Sequence, residues 1–255
     1  MRSRTLVTGA AGGLGATFAR IAAAEGRDLI LSDRDPAALG PLAAELRHAG
    51  ARVEIHAADL RDPDAAETLW RAASEDGPVR ILVNNAGLAA AGPFGHAETA
   101  AREIEAVAVN VAGFTRLLQL ATWEMRGGGR VLNAVSLAAM VPGPGMAVHF
   151  ATQSYALSLS LAVARESPHL TVTALCPGPT DTGFLAAAGL NAARLGRPFR
   201  PAEPETVAWS GWRAMMAGHR IATPGLRDRM LALGLRLAPR AVAMRGAEAL
   251  IRRLL

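Results

Sequence analysis

Short apolar runs alternate along the chain with longer segments in which apolar positions recur at the period of an α-helix. Alternation of this kind is typical of βαβ units, in which helices cover both faces of a parallel sheet. The apolar runs predict seven strands, at residues 5–8, 28–32, 52–57, 81–84, 130–135, 169–175 and 220–223. We therefore expect an α/β fold with one doubly wound, mostly parallel seven-stranded sheet.

The helical segments between these runs are predicted to begin near Gly13, Pro36, Pro63, Thr99 and His149. Asp35 and Asp62 precede the two prolines, and an aspartate followed by proline is a common way to begin a helix. Because 255 residues are commonly one domain in α/β proteins, we predict a single domain over 1–255. Within it, residues 181–204, rich in Ala, Gly and Arg, are expected to form a substrate loop or lid, and 205–255 a C-terminal helical part.

Composition favours a cytoplasmic protein without a transmembrane segment. No run of 18 uninterrupted apolar residues occurs, and the sequence passes directly into the first predicted strand, without the apolar region of a signal peptide. The lone cysteine, Cys176, lies in an apolar run, where we expect a buried and unreactive thiol.

The basic residues are unusual because all 27 of them are arginine and the chain contains no lysine, while the net charge is only +5. They are spread along the sequence, which indicates compositional bias and argues against a nucleic-acid partner. The densest stretch, 227–253, alternates with Leu, Ala and Met. We interpret it as the solvated face of C-terminal helices, with contact to anionic lipid or a partner as the less favoured alternative.

A glycine-rich turn, Thr8 to Gly15, separates the first predicted strand from an apolar helix. Gly9, Gly13 and Gly15 would let the backbone approach a pyrophosphate, and N–H groups at the helix start would receive its charge. Asp33, twenty positions after Gly13, would bind the adenosine ribose hydroxyls and favours NAD over NADP. Arg34 favours NADP instead, because a guanidinium at this position would bind a 2′-phosphate.

The turn matches T-G-x-x-x-G-x-G, and the chain thereby resembles the short-chain dehydrogenase/reductase family, whose fold is Rossmann-like. Further family motifs follow in the family's order: Asp59-Leu60, Asn84-Asn85-Ala86-Gly87, Asn110, Ser136 and Cys176-Pro177-Gly178. The resemblance implies dinucleotide contacts from Gly9, Gly13, Leu14, Gly15, Asp33, Arg34, Asp59, Leu60, Asn85, Ala86, Gly87, Pro177, Gly178 and Thr182. Thr182 resembles the residue that contacts the nicotinamide carboxamide, and no metal site is implied.

The family's catalytic tyrosine and lysine are not found where the resemblance places them. Counting thirteen positions from Ser136, the tyrosine position holds His149, and the lysine position holds Gln153. The single tyrosine, Tyr155, would lie about 120° away from His149 on a helix. An unperturbed histidine titrates near pH 6.5, so His149 is expected to exchange protons at neutral pH without a neighbouring cation.

Three functions follow from this catalytic set of Ser136, His149, Asn110 and Gln153. The first is an NAD(P)-dependent oxidoreductase with His149 as acid/base, acting on a carbonyl or alcohol. The second is a non-redox isomerase, dehydratase or cyclase that uses the same histidine. The third is an inactive relative that binds a dinucleotide or a partner protein. A Ser136 and His149 dyad for acyl transfer is weaker still, since no orienting carboxylate is evident.

The substrate is expected to be small and apolar, because Phe94, Phe184 and Leu185 lie in the segments that would contact it. By resemblance we expect a homo-oligomer, a dimer or tetramer, formed through helices near residues 99–125 and 149–165. Neither of the segments that would contact the substrate carries a motif that identifies it.

Overall fold

The computed structural model describes residues 3–196 and 199–255, and within them seven strands form one sheet with parallel ladders throughout. The order across the sheet is β3-β2-β1-β4-β5-β6-β7, so the winding reverses between β1 and β4. The predicted doubly wound single-domain fold is confirmed, and each predicted strand end lies within two residues of the observed one. The strands are β1 (Arg4–Thr8), β2 (Asp28–Asp33), β3 (Val53–Ala57), β4 (Val79–Asn84), β5 (Gly129–Ala134), β6 (Leu170–Leu175) and β7 (Ile221–Ala222).

Ten α-helices connect and follow the strands in the described residues. They are α1 (Gly13–Ala24), α2 (Gly40–His48), α3 (Ala65–Ser74), α4 (Ala97–Val107), α5 (Phe114–Glu124), α6 (Ala147–Glu166), α7 (Phe184–Ala187), α8 (Pro204–Met216), α9 (Gly225–Leu237) and α10 (Arg240–Leu254). Helix α1 begins at the predicted residue, and α3, α4 and α6 begin within two residues of prediction. The start predicted at Pro36 is instead a 3-10 turn, Ala37–Leu39, that leads into α2.

The two aspartates before the prolines accept backbone hydrogen bonds at these helix starts. The Asp35 carboxylate accepts the N–H of Ala37, and that of Asp62 accepts the N–H of Asp64, each at 3.0 Å. Both carboxylates satisfy an amide that the first helical turn leaves unpaired.

The core lies in two layers because successive strand residues point to opposite faces of the sheet. Leu6 and Leu82 pack on one face with residues of α3, α5 and α6. Val7 and Val83 pack on the other face with residues of α1, α2 and α8. Burying both faces leaves the edge at the carboxyl ends of the strands for a ligand.

Helices α4 and α5 form one continuous segment, Ala97–Glu124, interrupted by a π-helical turn at Ala108–Gly113. By length and composition this segment would reach across a membrane, although half of its most apolar window is buried inside the protein. Core helices have the same property, so the segment is weak evidence for a membrane span.

Residues 181–204 include α7 and a 3-10 turn at Ala192–Arg194, while Arg197 and Pro198 lie outside the described residues. The assignment of this segment as a substrate loop or lid stays a prediction. Beyond it, α8, α9 and α10 account for most of the remaining chain. Cys176 is buried, and burial raises the pKa of its thiol to about 12, as suits an unreactive side chain.

Candidate active site

The carboxyl ends of β1 and β4 meet at the point where the winding of the sheet reverses. The hydroxyl of Thr8 accepts the N–H groups of Asn85 and Ala86, each at 3.1 Å. The side-chain amide of Asn85 donates in return to the carbonyls of Thr8 and Gly9, at 3.0 and 3.1 Å. Since a parallel doubly wound sheet opens a crevice at this point, these bonds fix the floor of a binding site.

The glycine-rich turn is held in a shape that side chains would prevent. Gly9 has φ +61°, and a Cβ on it would lie 2.9 Å from the Cα of Ala86. A Cβ on Gly15 would lie 2.2 Å from the carbonyl oxygen of Gly9, inside any permitted contact. Gly13 faces the loop after β6, since its Cβ would lie 3.0 Å from the Cα of Thr182. The turn therefore brings the start of α1 and the loop after β6 close together without filling the space between them.

One cleft of about 880 Å³ extends from this turn to the first residues of α6. Every residue predicted to contact the dinucleotide lines it except Gly15, whose place is inside the turn. All four predicted catalytic residues line the same cleft. The structure thus brings together residues that lie up to 173 positions apart in sequence, from Gly9 to Thr182.

Charged groups gather at the end of the cleft beside β2 and β3. The Asp33 carboxylate accepts the N–H of Ala11 in the glycine-rich turn at 3.2 Å. Both carboxylate oxygens of Asp59 are engaged by Arg61, whose hydrogen bonds, with the charge of Arg34, hold the pKa of Asp59 below its usual range. Asp59 is therefore ionised at neutral pH, and a contact to adenine would require it to share oxygens with Arg61.

Ser136 follows β5 and begins a 3-10 turn, Leu137–Met140. Its hydroxyl oxygen accepts the N–H of Ala138 at 3.1 Å, which leaves its proton available to another acceptor. The next N–H, of Leu137, donates to the carbonyl of Pro177 at 2.9 Å. The serine turn and the Pro-Gly turn after β6 are thereby held side by side.

His149 lies in the first turn of α6, one turn before Gln153, and both side chains are buried. The imidazole packs near the rings of Phe150 and Phe184, with ring centroids 6.0 and 5.5 Å away. Among the residues that the structure describes, Nδ1 of His149 and Oε1 of Gln153 are buried without a hydrogen-bond partner. Unpaired buried polar atoms are costly, so their position beside a cleft indicates that a ligand or water completes them.

Burial lowers the pKa of His149 to about 4. An unperturbed histidine titrates near pH 6.5, and the pKa of His149 is lower because removal from water disfavours the imidazolium form. At pH 7 the side chain is neutral, able to donate one N–H hydrogen bond and to accept another.

Asn110 is placed by the π-helical turn and is fully engaged. Its side-chain oxygen accepts the N–H of Leu88 at 2.8 Å, and its amide donates to the carbonyl of Leu88 at 2.7 Å and to the hydroxyl of Thr152 at 3.1 Å. These bonds tie the loop after β4 to α6 beside His149. Asn110 thus supports the site, and a direct part in proton transfer stays a prediction.

Tyr155 lies outside the cleft lining, where its hydroxyl is hydrogen-bonded to that of Thr115 at 2.8 Å. This position agrees with the expectation that Tyr155 is not a convincing replacement for a tyrosine at position 149, which stays a prediction. A displacement of about 120° around α6 is enough to place it on a different surface.

Two contributions to the site escaped the sequence analysis. Asp228 of α9 is buried, and its carboxylate accepts the N–H of Gly178 at 2.8 Å, so it holds the Pro-Gly turn from behind. The C-terminal helix α10 forms part of the apolar wall near His149, through Ala243, Ala247, Leu250, Ile251 and Leu254. Neither contact leaves a local motif, because each joins segments that are far apart in the chain.

The model of the short chain dehydrogenase family matches residues 3–192. A curated relative, the probable oxidoreductase EphD of Mycobacterium tuberculosis, is 32% identical over 193 residues, 73% of this chain. The chain spans only 32% of the length of that relative.

Two solved structures have the same fold over nearly their full length. A short-chain dehydrogenase from Sphingobium yanoikuyae in complex with NADPH is 31% identical, with a TM-score of 0.81 and 91% of both chains covered. A 3-ketoacyl-(acyl-carrier-protein) reductase from Brucella melitensis complexed with NADH is 27% identical, with a TM-score of 0.78, and covers 89% of this chain and 98% of its own.

Proposed function

Because the chain belongs to the short-chain dehydrogenase/reductase family, we propose that it is a nicotinamide-dependent oxidoreductase acting on the carbonyl or alcohol group of an apolar substrate. We further propose that His149 and Gln153 stand where relatives carry tyrosine and lysine. The observation that carries the proposal is that one continuous cleft joins the glycine-rich turn to Ser136 and His149, with unpaired buried atoms at its far end.

The residues present fit a nicotinamide dinucleotide. Backbone N–H groups of Gly13 and Leu14 at the start of α1 would hold the pyrophosphate, and Asp33 would accept the ribose hydroxyls. The unpaired Oε1 of Gln153 offers a further acceptor for a ribose hydroxyl. When bound, the cofactor supplies or accepts the hydride.

The identity of the dinucleotide is proposed from charge. A carboxylate at Asp33 would repel a 2′-phosphate, which favours NAD, while Arg34 beside it would attract one. Since Asp33 ends β2 and contacts the glycine-rich turn itself, we propose NAD as the preferred cofactor.

Ser136 and His149 would both bind the substrate oxygen. The serine hydroxyl has a free proton to donate, and the neutral imidazole has one N–H. Two donors directed at one oxygen polarise a carbonyl and stabilise the negative charge that develops as it is reduced. In alcohol oxidation the unprotonated ring nitrogen is the acceptor for the hydroxyl proton. At pH 7 only about one molecule in a thousand carries the imidazolium form for a pKa of about 4.

The wall next to His149 supports an apolar substrate. Phe184, Leu185 and Leu190 line it from the loop after β6, and α10 adds Ile251 and Leu254 from the C-terminal end. Substrate placed there would exclude water from the imidazole, which strengthens its hydrogen bond to the reacting oxygen.

The first test is calorimetric titration of the protein with NADH and with NADPH. We expect binding of both with tighter binding of NADH, and loss of that preference in Asp33→Ala. Tighter binding of NADPH would indicate that Arg34, and not Asp33, determines the preference for the dinucleotide. If a folded sample bound neither, hydride transfer would be refuted and a cofactor-free role for His149 would remain.

The second test compares oxidation of apolar secondary alcohols by the wild type, His149→Phe and Tyr155→Phe. We expect His149→Phe to lower kcat/KM by about 10² to 10⁴, the usual contribution of a positioned acid/base. Tyr155→Phe is the matched control and should retain full activity. The double change His149→Tyr with Gln153→Lys should raise carbonyl reductase activity if the pair replaces tyrosine and lysine.

We also propose a cytoplasmic homo-oligomer. Ile104, Val107, Trp123 and Tyr155 are exposed apolar or aromatic side chains on α4, α5 and α6, the helices where the resemblance predicts subunit contact. Light scattering that gives a mass near 26.5 kDa, one chain, would contradict the oligomer.

A further inference from the structure

Helix α9 is apolar on two opposite sides. Ala232 faces the interior, Leu231 and Leu235 line the cleft, and all three belong to or pack against the core. The opposite side carries a stripe of exposed apolar residues at spacings of four, three and four, which a helix places within about 60° of one another. The α9 stripe consists of Leu226, Met230, Leu233 and Leu237, which are 76%, 60%, 50% and 76% exposed.

Four exposed large apolar side chains in one row are not an ordinary solvated surface. Removing each leucine from water would be favourable in free energy. No contact among the described residues of this chain provides that burial. The sequence alone favoured a solvated face here, since the stripe becomes visible only once the opposite side of α9 is known to be buried. The stripe therefore points to an external apolar partner.

The charged residues of the C-terminal segment that carries the stripe are almost all positive. Residues 225–255 hold seven arginines, at 227, 229, 236, 240, 245, 252 and 253, against only Asp228 and Glu248. Asp228 is buried on the Gly178 N–H and paired with Arg227, and Glu248 is paired with Arg252. Arg229 and Arg236 lie on one flank of the stripe, about 70° to 90° from its centre line.

An apolar stripe flanked by arginines is typical of a helix that lies in a membrane interface. In such a helix the apolar residues face the acyl chains and the arginines face anionic headgroups. The helix has 13 residues, too few to span a bilayer, for which about 20 are needed. We propose that α9, together with Val242 and the arginines of α10, docks on an anionic lipid surface.

A second copy of the chain is the competing occupant, and the charges argue against it. In a two-fold interface the same patch lies on both sides, so two patches that each carry an excess of arginine would meet, with both nearby acids already engaged. The face proposed for oligomer contact, on α4 to α6, is composed of different residues.

The experiment is flotation of the full-length protein with phosphatidylcholine vesicles, with and without phosphatidylglycerol. We expect binding only to the anionic vesicles, and loss of binding at high salt because exposed charges are then screened. Leu226→Glu and Leu237→Glu, at opposite ends of the stripe, should each weaken binding at least about tenfold. Phe94→Glu is the matched control, since Phe94 is 73% exposed in the loop after β4 and should leave binding unchanged.

A second pair of variants tests the charge contribution. Arg236→Gln and Arg245→Gln, both at exposed positions, should each lower binding about fivefold. Absence of vesicle binding by the wild type, or equal loss in Phe94→Glu and Leu226→Glu, would overturn the proposal. An oligomer that dissociates in Leu226→Glu would also overturn it and assign the stripe to a second copy. Vesicle binding needs no enzyme activity, so its outcome is independent of the proposed reaction.

Discussion

At position 149 an imidazole is enclosed by two phenylalanine rings and the start of α6. Burial alone accounts for its lowered pKa, because no carboxylate favours the charged form. A neutral ring suits hydrogen-bond donation to a carbonyl more than delivery of a proton from an imidazolium. The residue type alone suggested a neutral-pH proton carrier, and its surroundings change that expectation.

The first prediction concerns stability against pH. The pKa of His149 is about 4 in the folded state and near 6.5 when unfolded, so between these values the unfolded chain binds more protons. The free energy of unfolding therefore rises with pH across this window, is unaffected by this group above it, and is lowest below pH 4. A shift of about 2.5 units corresponds to about 3 kcal/mol lost between pH 7 and pH 4.

Urea unfolding of the wild type and of His149→Phe at pH 7, 5.5 and 4 measures this loss. The phenylalanine variant lacks the titrating group and should lose about 3 kcal/mol less than the wild type over the same range. If the free energy of unfolding varied with pH in the same way in both proteins, burial would not disfavour the charged form of His149.

The second prediction concerns the pH dependence of catalysis. If His149 accepts the alcohol proton, the base form is already complete at pH 6, two units above its pKa of about 4. The value of kcat/KM for alcohol oxidation should rise with pH below about 5 and stay level from pH 6 to 8. A bend near pH 6.5 would instead indicate that the imidazole titrates as a solvated group does.

Sequence position was enough to predict that Ser136, His149 and Gln153 belong to one site, and the structure places all three in the lining of one cleft. Burial and hydrogen-bond partners were not available from the same pattern. The pKa of His149 depends on Phe184, 35 positions away, and on the closure of the cleft around both. Such properties come from packing between distant segments, which a linear motif does not encode.

At the scale of elements, β1, the glycine-rich turn and α1 form the proposed cofactor site. Gly12 and Gly15, both in the glycine-rich turn, differ sharply in the space around them. A Cβ on Gly12 would meet only the carbonyl oxygen of Gly9 at 3.5 Å, an ordinary contact, whereas on Gly15 it would lie 2.2 Å from that oxygen. The clash is with backbone, so no side-chain rotation relieves it.

The third prediction follows from this contrast. Gly15→Ala should displace the turn, lower the free energy of unfolding by more than about 2 kcal/mol and abolish measurable NADH binding. Gly12→Ala, at φ −79°, is the matched control and should bind NADH within a few-fold of the wild type. Calorimetry and urea unfolding of both variants provide the measurement, and equal behaviour of the two would contradict the role given to Gly15.

Strands and the first helices followed from hydrophobic period because each buries its own side chains against the sheet. Helices α9 and α10 were expected only as a helical part, since their contacts to the cleft depend on where the chain returns after β7. The bond from Gly178 to Asp228 is an example, because it joins the turn after β6 to a helix 50 residues later.

The fourth prediction tests that bond. Asp228→Ala removes the acceptor of a buried N–H and should lower the free energy of unfolding by about 1.5 to 3 kcal/mol. It should also weaken NADH binding, because the Pro-Gly turn would lose its support. Asp228→Asn keeps one acceptor oxygen and should give a smaller effect on both. An unchanged affinity for NADH in Asp228→Ala would confine Asp228 to a structural role.

At the scale of the whole molecule, the two halves of the sheet meet between β1 and β4, and the cleft lies across that junction. A ligand that binds both halves stabilises the native chain as a unit, because the unfolded chain has no such site. The contacts that would hold it come from the segments at the carboxyl ends of β1 to β6.

The fifth prediction is that NADH raises the melting temperature by mass action. At a free concentration about 100 times its Kd the gain is about 2.7 kcal/mol. For a chain of this size each kcal/mol corresponds to about 2 to 4 °C, so the expected shift is about 5 to 10 °C. AMP, which would fill only the end of the cleft beside Asp33, should give a clearly smaller shift at the same concentration. If AMP matched NADH, the nicotinamide end near Ser136 and His149 would contribute no binding energy, and the hydride-transfer proposal would lose its structural basis.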